Sequence, residues 1–239
     1  MIISKRERKI ENSSKYFMGT YCNIFFDPKV GINENGEQYE YIEAFIDGEV
    51  DEDMYYAFVE VIQEIKKREN AELRYTSEVR ITFSSIGGSV TCGFSIIDMI
   101  DLHNSTSPVK ISFVAIGGNF SMAIPILCSG FNRYCFEYSK FMIHQVSGGA
   151  FGKVNDMEKR VTFSRELNED IVSYIKSKTL LGDDKISEIF KEEHYFNAEK
   201  ALEYGIVHNI IYFKNDDNFE EEKIKKNKSN KILDKKKKV

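Results

Sequence analysis

The stretch Val79–Ile100, VRITFSSIGGSVTCGFSIIDMI, decides the fold. Val79 to Phe83 alternates apolar and polar residues, with β-branched and aromatic side chains at the apolar positions, and this pattern predicts a strand. The pair Gly87-Gly88 interrupts it, and from Thr91 to His103 the apolar residues recur at helical spacing. A second apolar strand follows at Lys110–Ile116. A strand, a glycine turn, a helix and a strand in that order imply parallel pairing through a right-handed crossover. Ligands of such sheets gather at the carboxyl ends of the strands, which is where Gly87-Gly88 falls.

The same alternation continues on both sides. Upstream, YIEAFIDGEV (Tyr41–Val50) reads as a strand ending in a turn, and DEDMYYAFVEVIQEIKKREN (51–70) as a helix. In that helix Met54, Phe58, Val61, Ile62 and Ile65 share one face, with acids in the first turn and lysines in the last. Further back the chain is polar and irregular, and Asn35-Gly36 predicts a turn joining short strands at Cys22–Phe26 and Gln38–Phe45. Downstream, GGN (117–119) reads as a second glycine turn leading into a helix from about Ser121. RYCFEYSKFMIH supplies one or two further strands, and the longest helix is expected at about 154–178, with Val154, Met157, Val161, Leu167, Ile171 and Ile175 at helical spacing. Asn197 reads as the N-cap of AEKALEY, Gly205 as its C′ residue and IVHNIIYF as the last strand. No internal repeat is visible.

Composition narrows the function classes. A chain of 239 residues, 42% of them hydrophobic, can build one substantial core. Its formal charge of -5 is unevenly spread, because Lys214–Val239 holds 10 lysines against 6 acids and leaves the remainder more acidic than the total. An acidic body argues against a nucleic-acid surface, and the Lys-rich end reads as a solvated, disordered tail. Cys22, Cys92, Cys128 and Cys135 show neither a CxxC pair nor metal-ligand spacing, and no export signal precedes them. They are expected to be reduced thiols in a cytoplasmic protein without a metal or cofactor. The uncharged run Ile111–Asn132 is long enough to cross a bilayer, yet it contains Ser112, Gly117, Gly118, Asn119, Ser121, Pro125 and Ser129. It is read as a buried strand, a turn and a buried helix rather than a membrane span.

Ser121 follows a strand and a glycine turn and precedes a helix, so its hydroxyl is either an N-cap or a nucleophile facing backbone N–H groups. Gly87-Gly88, at the end of the preceding parallel strand, can lie beside it with bare amides. His144 follows the apolar strand FMI; it is either a structural histidine or the base that takes the serine proton. A serine and a histidine on neighbouring strand ends still need a carboxylate to orient the ring. KEEHYF (191–196) offers one, although a Glu-Glu-His cluster is also an ordinary charged surface turn.

ITFSSIGGSVTCGFSIIDMI, AIGGNFSMA, KFMIHQVSGGAFG and HYFNAEKALEYGIV follow the order and spacing of the signature blocks of one family. Over roughly 41–211 the chain resembles the Clp protease proteolytic subunit, the ClpP family of serine peptidases. The resemblance implies an α/β domain of the ClpP/crotonase superfold, with a mixed, mostly parallel sheet, helices and a long protruding handle helix. It implies Ser121 as nucleophile, His144 as general base and Glu193 as the third member. Backbone N–H groups of Gly88 and Met122 would form the oxyanion hole, with Gly87, Gln145 and Val146 in contact with substrate. It also implies a protein or peptide substrate, a homo-oligomer of stacked rings joined through the long helix and the strand-turn GGAFG (148–152), and a ring ATPase unfoldase as a possible partner, with no nucleic acid and no membrane.

The sequence departs from the family pattern at named places. Ile86 stands where the family has proline before the glycine pair, Ala123 where it has glycine after the serine-methionine pair, and Glu193 where it has aspartate. HNSTSPV (103–109) reads as an insertion, and the first 40 residues do not match the family's axial hairpin. The expected organisation is an N-terminal extension at 1–40, a peptidase domain at 41–213 and a charged tail at 214–239. A non-catalytic ClpP-like subunit, a specialised phage-type processing peptidase and a crotonase-like acyl-thioester enzyme stay open beside the active peptidase. Of the other histidines, His103 is expected on the surface, His194 to point away from the Glu193 side, and His208 to have no role; Asp98 is the fallback carboxylate.

Overall fold

The computed structural model describes residues 13–17, 20–32, 38–70 and 76–213; the Asn35-Gly36 turn and the tail at 214–239 lie outside them. Among the described residues nine strands form one mixed sheet. β1 (Ser13–Phe17), β2 (Thr20–Ile32) and β3 (Gln38–Val50) pair antiparallel, with Ile32 opposite Gln38 across the expected hairpin. From β3 the sheet becomes parallel through β4 (Thr76–Gly88), β5 (Lys110–Phe120), β6 (Arg133–Phe136) and β9 (Asn209–Ile211). The crossovers are α1 (Glu52–Asn70) between β3 and β4 and α2 (Val90–Thr106) between β4 and β5. After β5 come α3 (Ala123–Cys128), β7 (Lys140–Ile143), α4 (Val154–Lys178), α5 (Asp183–Ile189), β8 (His194–Asn197) and α6 (Ala198–Glu203).

The core sits where the helices meet the parallel strands. Met54, Ala57, Phe58, Val61, Ile62 and Ile65 of α1 are all buried, and the Phe58 ring meets Phe83 of β4 and Phe113 of β5 with centroids 6.2 and 6.1 Å away. Burying each of the larger of these side chains contributes about 1.5–3 kcal/mol. The opposite face of β4 is closed by polar packing: the Arg80 guanidinium lies 4.2 Å from the Tyr41 ring centroid and 5.2 Å from that of Tyr134. Buried Glu78 is satisfied by Arg80 Nε at 2.9 Å, Ser112 Oγ at 2.5 Å and Asn132 Nδ2 at 2.9 Å.

The expected helices and strands from Tyr41 to Ile116 are present, and three features differ. GGN is extended rather than a turn. Gly117, at φ +54, bends β5 so that it pairs with β6 at Phe113–Ala115 and then changes partner to β7 at Gly118–Phe120. KEEHYF ends in a strand, β8, antiparallel to β7. His103 is buried rather than on the surface, because the loop after α2 folds back and Val109 O lies 2.9 Å from its Nε2. Among the described residues no helix is long and apolar enough to cross a membrane.

Candidate active site

Gly88, Ser121 and His144 come from the carboxyl ends of β4, β5 and β7, whereas Glu193 immediately precedes β8. The partner change in β5 brings Phe120 opposite Met142 of β7, so Ser121 and His144 emerge one and two residues beyond that pair. The Ser121 N–H donates to Met142 O at 2.8 Å, and the residue holds φ +55, the only positive φ outside glycine among the described residues. A side chain in this region costs about 1–3 kcal/mol and persists only where its surroundings enforce it. Ser121 is not an N-cap. Met122 holds the cap position of α3, without a side-chain cap bond, and the Ser121 hydroxyl instead meets His144, Nε2 to Oγ, at 2.8 Å.

Backbone amides flank that pair. Gly88 ends β4 beside Val50 and lines the cleft that holds Ser121 and His144. Gly87 lies against Ser121, and its amide donates to Ser85 Oγ at 3.1 Å, which fixes the turn presenting Gly88. The Met122 side chain is buried, and among the described residues its N–H has no acceptor. Gln145 and Val146 follow His144 along the cleft, and the Val146 N–H donates to Asn168 Oδ1 on α4 at 3.0 Å. The apolar wall of the cleft is Val90, Pro125, Ile143, Ile171, Ile175 and Phe190.

Glu193 is the residue before β8. β7 and β8 pair with Ile143 opposite His194, and one further step of that register sets Glu193 opposite His144. The side chain is exposed, and its Oε2 accepts from the Tyr195 hydroxyl at 2.8 Å. Among the described residues the one hydrogen bond of the His144 ring is that to Ser121. His194 turns to the other side, with Nε2 3.0 Å from the Tyr204 hydroxyl. Asp98 is exposed on α2, and His208 packs against Arg133. Among the described residues no group of three His, Cys, Asp or Glu side chains could hold a metal ion.

Asn168, Phe190 and Tyr195 were not singled out from the sequence. Phe190 reaches the cleft from the end of α5 and Asn168 reaches Val146 from α4, both more than twenty residues further along the chain, and only the i, i+4 pair Ile171 and Ile175 marked that face of α4 beforehand.

A hydroxyl on an imidazole nitrogen at the edge of a parallel sheet, with backbone amides beside it, is the equipment of an acyl-transfer hydrolase. The chain belongs to the Clp protease family, whose family model matches residues 37–214. It is 29% identical over 144 residues, 58% of this chain and 71% of the relative, to the ATP-dependent Clp protease proteolytic subunit of Carsonella ruddii (strain PV).

Proposed function

We propose that this Clp-family peptidase is a serine endopeptidase that cleaves unfolded or partner proteins through Ser121, His144 and Glu193. The observation that carries the reading is the 2.8 Å contact of His144 Nε2 with the hydroxyl of a serine held at φ +55. His144 takes the Ser121 proton as Oγ attacks the peptide carbonyl, and the N–H groups of Gly88 and Met122 receive the oxyanion. His144 then gives the proton to the leaving amine, and a water it activates hydrolyses the acyl-enzyme. Gln145 and Val146 align the substrate backbone, and the apolar wall of the cleft suits an apolar side chain beside the scissile bond. In this reading the protein works as a homo-oligomer of stacked rings, fed by a ring ATPase.

Labelling with a serine-reactive fluorophosphonate tests the assignment. The wild type is expected to label, Ser121→Ala to lose the label entirely, and Glu193→Ala to label slowly. Folded, assembled wild type that takes no label would sink it. A second reading, a catalytically impaired Clp-like subunit, is favoured by one observation only: the Glu193 carboxylate is engaged by Tyr195.

A further inference from the structure

The segment carrying Glu193 holds it by a contact that Ser121 and His144 do not need. Glu193 and Tyr195 are two residues apart on extended chain, so they share a face, and continuing the β7–β8 register places that face on the His144 side. Tyr195 donates its hydroxyl to Glu193 Oε2 at 2.8 Å, and its ring, 62% exposed, is steadied edge-on by Phe120 at 6.2 Å. That hydrogen bond raises the phenol above its ordinary pKa, so it donates throughout the neutral range. The side chain that makes this contact is a glutamate, one methylene longer than an aspartate.

We propose that Tyr195 is a positioning residue that parks the Glu193 carboxylate away from His144, leaving a Ser121–His144 pair whose ring is oriented only when the tyrosine releases its bond. The inference rests on the Ser-His-Glu reading above. It makes resting activity a competition between two donors, the phenol and the imidazole, for one carboxylate.

The test compares steady-state cleavage of a fluorogenic peptide and the rate of fluorophosphonate labelling in wild type, Tyr195→Phe, Glu193→Asp and Tyr195→Phe/Glu193→Gln. Tyr195→Phe keeps the ring on Phe120 and is expected to raise kcat and labelling about fivefold, the scale of one net hydrogen bond, with KM unchanged. The acidic limb of its kcat/KM profile moves to higher pH, because a carboxylate beside an imidazole favours the protonated ring. Glu193→Asp, too short for the phenol, gains similarly with Tyr195 intact, and Tyr195→Phe/Glu193→Gln loses the gain. Labelling of the wild type at Ser121 with no increase in Tyr195→Phe overturns the parking while leaving the serine peptidase in place. A gain that survives Glu193→Gln overturns it too, since the tyrosine then acts on access rather than on the carboxylate. Absence of label in every variant would bring down the peptidase reading and this one together.

Discussion

Gly87 carries the most consequence per atom removed. It holds φ +89, and a Cβ built on it would lie 2.6 Å from the Ser121 Cβ and 2.7 Å from Phe120 O. Both the backbone angle and the lack of space exclude a side chain, and the neighbour that would have to move is the strained serine itself. Gly87→Ala is therefore expected to lower kcat at least about tenfold, because a displacement of well under an ångström spoils the attack geometry, with a melting temperature several degrees below wild type. The control is Gly182→Ala, whose added methyl meets nothing within 4 Å. Equal kinetics for Gly87→Ala and wild type would show that Ser121 does not depend on this contact. At this scale the candidates Ser121, His144, Gly88 and Met122 could be named from short motifs, and the structure brings them to one cleft. Their strain and partners could not be read there: the φ of Ser121 depends on its bond to Met142, and the Tyr195–Glu193 bond depends on rotamers that no spacing encodes.

Elements are fastened to one another at a buried guanidinium. Arg133, at the start of β6, donates to the carbonyls of Cys128, Lys178 and Gly205 at 3.0, 2.9 and 3.1 Å, and so ties the ends of α3, α4 and α6 to the sheet. Its Nη2 also lies 2.7 Å from Nε2 of His208, the residue before β9. An imidazole facing a guanidinium must stay neutral to accept, and burial, reinforced by the Arg133 charge, pushes the His208 pKa down to about 3. The unfolded chain takes up this proton near pH 6.5 and the folded chain does not until about 3. The unfolded state thus binds more protons between those values, and stability falls as pH falls through the window, by roughly 1.4 kcal/mol per pH unit from this group. His208→Gln keeps an acceptor for Arg133 without the proton site, so its melting temperature should drop less than that of wild type between pH 7.5 and pH 5. Equal drops would remove His208 from the acid response. The sequence showed β6 and β9 but not this joint, since a histidine and an arginine 75 residues apart carry no common pattern. It also missed α5, whose seven residues are too few to show a helical period.

Over the whole molecule, the alternation of strands and helices from Tyr41 to Ile116 was readable because each element is long enough to express its own period. The course of the sheet after Phe120 was not, because it is set by the partner change at Gly117 and by strands of three or four residues. What the single chain leaves uncovered has its own logic. Only Ile171 and Ile175 of α4 are buried, whereas Phe151 is 87% and Phe163 53% exposed, with Val154 and Val161 also uncovered. Apolar side chains left uncovered on both sides of one helix, with Phe163 opposite Val154 and Val161, and on the segment leading into it mark that helix as a contact surface, and each aromatic offers some 150–250 Å² to bury. In the stacked-ring reading this surface meets a second copy of the chain, and the same contacts recur in every pair around the ring. Replacing Phe151 and Phe163 together with serine should then convert large particles in sedimentation velocity into species of half the mass or less. Neither ring belongs to the buried core, so far-UV circular dichroism should be preserved. Because the loss is repeated at each pair, a modest weakening per contact is multiplied across the assembly, and the shift should reverse partly as protein concentration rises. An unchanged sedimentation profile for the folded variant would remove this helix from the interface.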